Sequence, residues 1–312
     1  MIFAEDLTKL FDQFTAVNGV NLDVPAGKVL VLLGPNGAGK TTTVRMLTSI
    51  LKPSRGRAVV AGFDVVKDPQ KVRESVGVLT EHHGLYNRMN AEEYLDFYAR
   101  LYNMEAASRK NRIESLLEEF GLLAEKNRKL GEFSKGMRQK LALVRALMNQ
   151  PPVLLLDEPT SAMDPESART VRDAIHQLRS SDRSIILCTH NLLEAEELAD
   201  QVAIIRKGKI ILTGSPSTLK QKLLGLPEYE VRLANQVDGK MPEMPDGVRM
   251  TTQGDRWLRF RVETPQSNNP ELIQNLIKAK MKIVSFQEVQ RSLESAYLEA
   301  MRTTEDGAPN AR

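Results

Sequence analysis

Residues 28–47 read KVLVLLGPNGAGKTTTVRML. The run Val29–Leu33 is apolar on both faces, the pattern of a strand buried in a parallel sheet. Gly34-Pro-Asn-Gly-Ala-Gly39-Lys40-Thr41 then fits G-x-x-x-x-G-K-[ST] without mismatch, and Thr41–Leu47 continues with helical spacing. Strand, glycine-rich loop and helix in that order are the context this motif requires. In such a loop the backbone N–H groups at Asn36, Gly37, Ala38 and Gly39 converge on phosphate oxygens. Lys40 reaches the β- and γ-phosphates, and the Thr41 hydroxyl binds Mg²⁺. The motif points to a nucleoside triphosphate and no further.

Downstream, segments 134–149, 153–157, 165–179, 184–188, 191–199 and 201–205 alternate helix and strand, which predicts a parallel sheet with covering helices. The strand at 153–157 ends in Asp157-Glu158-Pro159-Thr160. A carboxylate closing an apolar strand is costly unless it faces a ligand or cation. Asp157 therefore suits Mg²⁺, and Glu158 is placed to take a proton from an attacking water. A solvated acidic turn is the competing reading of that pair taken alone.

Residues 1–33 alternate as strands, and 56–66 add more strand around Gly56 and Gly62. Between 90 and 127 the spacing turns helical: Tyr94, Phe97 and Leu101, then Ile113, Leu116, Leu117 and Phe120. Beyond Leu224-Gly-Leu-Pro227 the composition shifts. Strand-like 229–234 and 256–263, a turn at 253–255, a helix at 270–280, MKIVSFQEV and a helix over about 292–302 predict a small α+β domain, with Trp257 in its core. Residues 303–312 read as a frayed tail.

The net charge of +3 over 312 residues lacks the basic excess of a nucleic-acid binder. A single cysteine, Cys188, excludes an internal disulfide and reads as a small apolar strand residue. The N-terminus MIFAEDLTK has no secretory h-region, and no apolar run approaches a membrane span. His82 and His83 are adjacent, so they share no face in helix or strand and read as polar loop residues.

The segment LGEFSKGMRQKLALVRA (130–146) poses its own question. Ser134 opens a helix whose first turns carry Lys135, Arg138 and Lys140, where carboxylates are the usual preference. Taken with Gly34–Thr42, Leu156–Thr160, Ser161–Asp164 and His190 in this order, Phe133–Gln139 resembles the signature of the ATP-binding cassette (ABC) transporter nucleotide-binding subunit. The match spans residues 1–220 and is closest to the bacterial exporter type.

That resemblance implies an ABC-type P-loop fold: a parallel-sheet core, an antiparallel β subdomain and a helical subdomain (about 88–150) within 1–222. A C-terminal α+β domain (226–302) follows. It implies ATP and Mg²⁺ as ligands, with two cassettes paired head to tail, expected as a homodimer. A transmembrane permease subunit would hold the chain at the cytoplasmic face of the membrane, with no nucleic acid involved. Ser134 and the Gly136 N–H would then donate to the γ-phosphate of ATP held by the partner, alongside or instead of a plain N-cap role. Thr42 joins the phosphate loop. Phe11 matches the adenine-stacking aromatic, with an ordinary core Phe as the alternative. Asp164 matches the loop that crosses the dimer interface, and His190 the γ-phosphate contact.

Two positions depart from the family pattern. Lys135 replaces a glycine and sits beside phosphates or projects into solvent. Glu81 stands where glutamine is usual, and either ligates Mg²⁺ or points away. Residues 82–102, with Leu85, Tyr86, Phe97 and Tyr102, would form the groove for the membrane partner. The competing classes are a soluble ABC protein of DNA repair or translation, and a cassette that binds ATP without turnover.

Overall fold

The computed structural model describes residues 1–80, 84–161, 163–237, 241, 243–289 and 292–303. The chain divides into two units, Met1–Pro216 and Ser217–Arg312.

The first unit begins with strands β1 (Ile2–Phe11) and β2 (Phe14–Val24), then β3 (Val29–Leu33) and helix α1 (Lys40–Leu47). It continues with β4 (Arg55–Val60), β5 (Phe63–Asp64), α2 (Pro69–Ser75), β6 (Val76–Leu79), α3 (Ala91–Leu101) and α4 (Ala106–Glu119). Then come α5 (Lys135–Leu147), β7 (Val153–Asp157), α6 (Pro165–Gln177), β8 (Ser184–Thr189), α7 (Leu192–Leu198), β9 (Gln201–Arg206) and β10 (Lys209–Gly214). Helix α8 (Pro216–Leu224) carries the chain across the division.

Six strands form the central sheet in the order β10-β9-β3-β8-β7-β6, parallel from β9 to β6 and closed by antiparallel β10. Every residue of β3, β7 and β8 is buried, as both-face coverage requires. The antiparallel sheet β2-β1-β4-β5 packs its apolar side into the same core, through Ile2, Leu7, Val20 and Val60. The parallel core, the antiparallel subdomain and the helical insert agree with the expectation. Short α2 and β6 carried no periodicity long enough to read.

The helical insert starts where its chemistry says it should. Asn90 caps α3 by accepting the Glu93 N–H at 2.8 Å, while the Glu93 carboxylate accepts the Asn90 N–H at 3.0 Å. This reciprocal capping box satisfies two donors that the first turn leaves open. Of the stripe Tyr94, Phe97 and Leu101, only Tyr94 is buried; Phe97 and Leu101 are exposed, beside exposed Tyr86. Arg145 of α5 donates to the Tyr94 hydroxyl at 2.9 Å and lies over the Tyr98 ring, so α5 and α3 are held together by one guanidinium.

The second unit is a four-stranded antiparallel sheet in the order β12-β13-β11-β14, where β11 is Glu228–Leu233, β12 Val248–Gly254, β13 Trp257–Val262 and β14 Ile283–Glu288. Helix α9 (Pro265–Lys278) and α10 (Leu293–Thr303) complete it. Leu258, Phe260 and Val262 alternate onto one face and pack with Leu272 and Leu276 of α9. The same alternation turns Trp257, Arg259 and Arg261 to the other face. Trp257 is therefore not a core residue as expected; it is half-buried, with the Arg259 guanidinium 5.0 Å from its ring centre. Helix α9 also begins earlier than the expected 270. Its start is Pro265, a proline suited to a first-turn position, and Pro270 is absorbed inside the helix.

The joint between α5 and β6 leaves no room for a side chain. A Cβ on Gly77 would run into the Ala146 carbonyl oxygen and lie 2.7 Å from Pro151 Cγ. Gly77→Ala is expected to destabilise the chain by about 1–3 kcal/mol, the usual cost of overpacking. Thermal or denaturant unfolding of the variant against the parent checks this.

Candidate functional site

The sheet order brings the site together. Strand β8 lies between β3 and β7, so the segments leaving the C-terminal ends of three adjacent parallel strands meet at one edge. Those segments carry the loop 34–41 after β3, Asp157 and Glu158 at the end of β7, and His190 at the end of β8. Open parallel sheets place ligands in such a crevice.

The loop ends at Gly39 with φ of 108°, a left-handed conformation that a side chain resists. A Cβ there would also stand 2.6 Å from the Ala16 carbonyl oxygen. Lys40 is 5% exposed; its ammonium donates to the Gly34 carbonyl at 2.7 Å and the Pro35 carbonyl at 3.2 Å, and lies 3.4 Å from Glu158 Oε1. The Thr41 hydroxyl donates to Asp157 Oδ2 at 2.7 Å. A cleft of about 450 Å³ runs along Phe14, Ala16, Pro35–Thr42, Asp157 and Glu158.

Glu158 has φ of 51°, an uncommon backbone state for a residue with a side chain. Its N–H donates to the Cys188 carbonyl at 2.8 Å, and its carbonyl accepts the Ser161 N–H at 3.2 Å. His190 Nδ1 lies 2.9 Å from the Glu158 carboxylate, and the Thr189 hydroxyl 3.5 Å from its Oε2. Gln139 of α5 donates to the Pro159 carbonyl, tying the signature helix to this turn within one chain.

A second hollow, about 350 Å³, lies on the other side of Glu158, between Thr160, Ser161, Arg172 and His190. The Glu194 carboxyl is buried behind it, where burial pushes its pKa up and hydrogen bonds from Thr160 and Thr189 pull the other way. Burial also pushes the Cys188 thiol well up, which suits the apolar strand role expected of it.

Lys40, Thr41, Thr42, Asn36, Gly37, Ala38, Gly39, Asp157 and Glu158 thus line one cleft, with His190 on the far side of Glu158. Phe11 does not line it. Phe11 is exposed at the end of β1, with the Lys9 ammonium over its ring, and Phe14, its partner across the hairpin, lines the cleft with Ala16. Sequence reasoning missed Phe14 and Ala16, although both sit in the same short hairpin as Phe11. It also missed Glu194, a polar residue in an otherwise apolar helix face, and gave Gln139, the last residue of the stretch Phe133–Gln139, no role of its own. Glu81, with His82 and His83, lies outside the described residues.

Ser134 is exposed and caps α5, its hydroxyl accepting the Met137 N–H at 3.2 Å. Lys135 beside it is exposed. Arg138 folds back to the Phe133 and Gly131 carbonyls at 3.2 and 3.1 Å, so one of the three cations at this helix start is used locally.

Asp164 caps α6 by accepting the Ser167 N–H at 2.9 Å, and this bond holds its carboxyl below the ordinary aspartate range. A depressed carboxyl contributes stability above its unfolded pKa and loses it as pH falls through the folded value. Asp164→Asn keeps a capping oxygen without the titration. Parent and variant melting temperatures are expected to converge as the pH falls from neutral through about 4 and below. A pH series of melting curves checks this.

The comparisons with known proteins agree with this geometry. Residues 17–161 match the family model described as ABC transporter, and residues 214–301 match that of the ATP-binding protein DrrA1-3-like, C-terminal domain. The ABC transporter ATP-binding protein NatA of Bacillus subtilis is 43% identical over 224 residues, 70% of this chain and 91% of that protein. The daunorubicin/doxorubicin resistance ATP-binding protein DrrA of Streptomyces peucetius is 33% identical over 297 residues, 94% and 89% of the two chains. A solved ATP-binding subunit of an ABC transporter superposes with a TM-score of 0.66 at 28% identity, over 72% of this chain and 94% of that one. The cassette MJ0796, solved as a dimer bound to ADP and Pi, shares the fold with a TM-score of 0.63 at 22% identity, over 69% and 98%. On these matches the chain belongs to the ATP-binding, ATP-hydrolysing subunits of ABC transporters, in the exporter-type branch that includes DrrA and NatA.

Proposed function

We propose that this subunit hydrolyses ATP with Glu158 as the general base, and that the closing and reopening of a cassette dimer drives a separate permease. The observation that carries the reading is the placement of the Glu158 carboxylate, 2.9 Å from His190 Nδ1 and 3.4 Å from Lys40 Nζ, at the mouth of the phosphate loop. The loop N–H groups from Asn36 to Thr42 and the Lys40 ammonium hold the β- and γ-phosphates. Glu158 takes the proton of the attacking water, and His190 orients the water and the γ-phosphate from the opposite side.

Thr41 and Asp157 fit Mg²⁺: a hydroxyl and a carboxylate already paired at 2.7 Å are the hard oxygen donors this ion selects. Bound there, the ion neutralises charge developing on the phosphates. Ser134 and the Gly136 N–H stand at the exposed start of α5, where a partner cassette's ATP is reached by a helix N-terminus. The pair is expected to be two copies of this chain. No described helix is long and apolar enough to cross a membrane. In this reading the permease is a separate protein, and this subunit binds it peripherally at the cytoplasmic face. Exposed Tyr86, Phe97 and Leu101 form the apolar patch on which a permease helix would dock.

Adenine rests against the β1–β2 hairpin, where Phe14 and Ala16 line the cleft wall and Phe11, exposed just beyond it, is the stacking face that the family resemblance implies. Phe11→Ala is expected to weaken ATP binding by about 1–3 kcal/mol, roughly five- to 150-fold. Equilibrium titration of Phe11→Ala and Phe14→Ala checks this. Weakening in Phe14→Ala alone would make Phe14 the stacking face.

Glu158→Gln is expected to lower turnover by roughly 10²–10⁴-fold, to keep ATP affinity, and to accumulate an ATP-bound dimer. Steady-state hydrolysis and size-exclusion chromatography with ATP read both. Hydrolysis at the parent rate would remove Glu158 from the role of base.

A further inference from the structure

Glu194 is a glutamate with 1% of its surface exposed, in the first turn of α7. Its carboxyl accepts the Thr160 hydroxyl, and the Thr189 hydroxyl stands against it. Its hydrogen bonds come from these hydroxyls, while burial and the nearby Glu158 carboxylate push its pKa up and the Arg172 guanidinium pulls it down. A buried carboxyl costs free energy unless it is well paired, and an apolar side chain would fill the same space without that cost. The position needs an account beyond packing.

The two threonines supply it. Thr160 lies in the turn that follows Glu158, two residues on in the chain. Thr189 immediately precedes His190, and its hydroxyl accepts the Asn191 N–H at 3.0 Å. The Glu194 carboxyl thus holds the segment that follows Glu158 through Thr160, and lies against the segment that precedes His190 at Thr189. Glu158 itself holds a strained backbone at φ 51°, a state that persists only when its surroundings over-determine it.

The Thr189 hydroxyl has one proton and two carboxylates competing for it: the hydroxyl is aligned on Glu158 Oε2 at a long 3.5 Å, and the Glu194 carboxyl lies close enough to draw the proton away. A hydroxyl proton serves one acceptor at a time. Given to Glu194, it leaves Glu158 Oε2 for the attacking water. Without Glu194 it turns to Glu158, and a carboxylate that accepts a hydrogen bond is a weaker base.

We infer that Glu194 is a positioning residue for hydrolysis, holding Thr160 and Thr189 so that the Glu158 carboxylate stays aligned with His190 and open to water. The inference rests on the reading of Glu158 as the base.

The test is steady-state ATP hydrolysis by the full chain, with kcat and KM separated and melting temperature as the control for folding. Glu194→Gln keeps an acceptor oxygen of the same shape and is expected to retain most of kcat. Glu194→Ala is expected to lose roughly ten- to hundredfold in kcat, the usual scale for a supporting group behind a reacting one, with KM for ATP unchanged because the phosphate loop is untouched. If Glu194→Ala does not fold, Thr160→Val and Thr189→Val each remove one hydroxyl at nearly constant shape. Thr160→Val is then expected to lower kcat alone, and adding Thr189→Val to it is expected to cost less than the two single losses combined.

A folded Glu194→Ala with the parent kcat overturns the inference. So does a Glu194→Gln as impaired as Glu194→Ala, or a kcat loss matched by a rise in KM. Glu158→Gln assayed in parallel separates the two readings. Turnover retained there removes the base, whereas no turnover there with full kcat in Glu194→Ala removes only the positioning role.

Discussion

The structure depends on one constraint: charged groups must be kept at the buried end of a largely apolar parallel sheet. Lys40, Asp157, Glu158 and Glu194 are each less than a tenth exposed, at the rim of strands whose residues are buried throughout. Isolated, any of them would be costly. They persist because each is held: Lys40 by loop carbonyls and Glu158, Asp157 by Thr41, Glu158 by His190, and Glu194 by Thr160. The same low-dielectric setting makes these groups effective on a phosphate, since charges act more strongly where water is scarce.

The supports come from every layer around the sheet. Gln139 reaches from α5 to the Pro159 carbonyl, so the helix that begins at Ser134 is tied to the turn that carries Glu158. Arg145, on the same helix, donates to Val78 at the end of β6 and to Tyr94 in the helical insert. A displacement at the exposed Tyr86–Phe97 patch therefore has short covalent and hydrogen-bonded connections to α5 and to the strand that leads to residue 80. These contacts link the exposed Tyr86–Phe97 patch to the helix that begins at Ser134.

The C-terminal unit obeys a simpler rule. A period-two pattern assigns Leu258, Phe260 and Val262 to a core with α9, and sends Trp257, Arg259 and Arg261 to the opposite face. There Glu230 sits between Arg232 and Arg259, each at 2.9 Å, and those two hydrogen bonds hold its carboxyl below the usual range. Reading Trp257 as core overlooked the fact that its neighbour Leu258 already claims that face.

Local order was legible in the chain itself. The apolar run Val29–Leu33, the loop Gly34–Thr41 and the Asp157-Glu158 strand end each carry their chemistry in consecutive residues, because a strand, a phosphate loop and a helix start are built from neighbours. The alternation of helix and strand from 134 to 205 likewise announced a parallel sheet. What the chain could not state was adjacency. Thr41 and Asp157 are 116 positions apart and meet because the sheet sets β3, β8 and β7 side by side, with the loop after β3 reaching the end of β7. Phe14 rather than Phe11 lines the cleft because of the turn of one hairpin, and Glu194 reaches Thr160 only through the packing of α7. Such pairings are settled by strand order and close packing, where burial energy is summed over the whole core and no short stretch of sequence records the outcome.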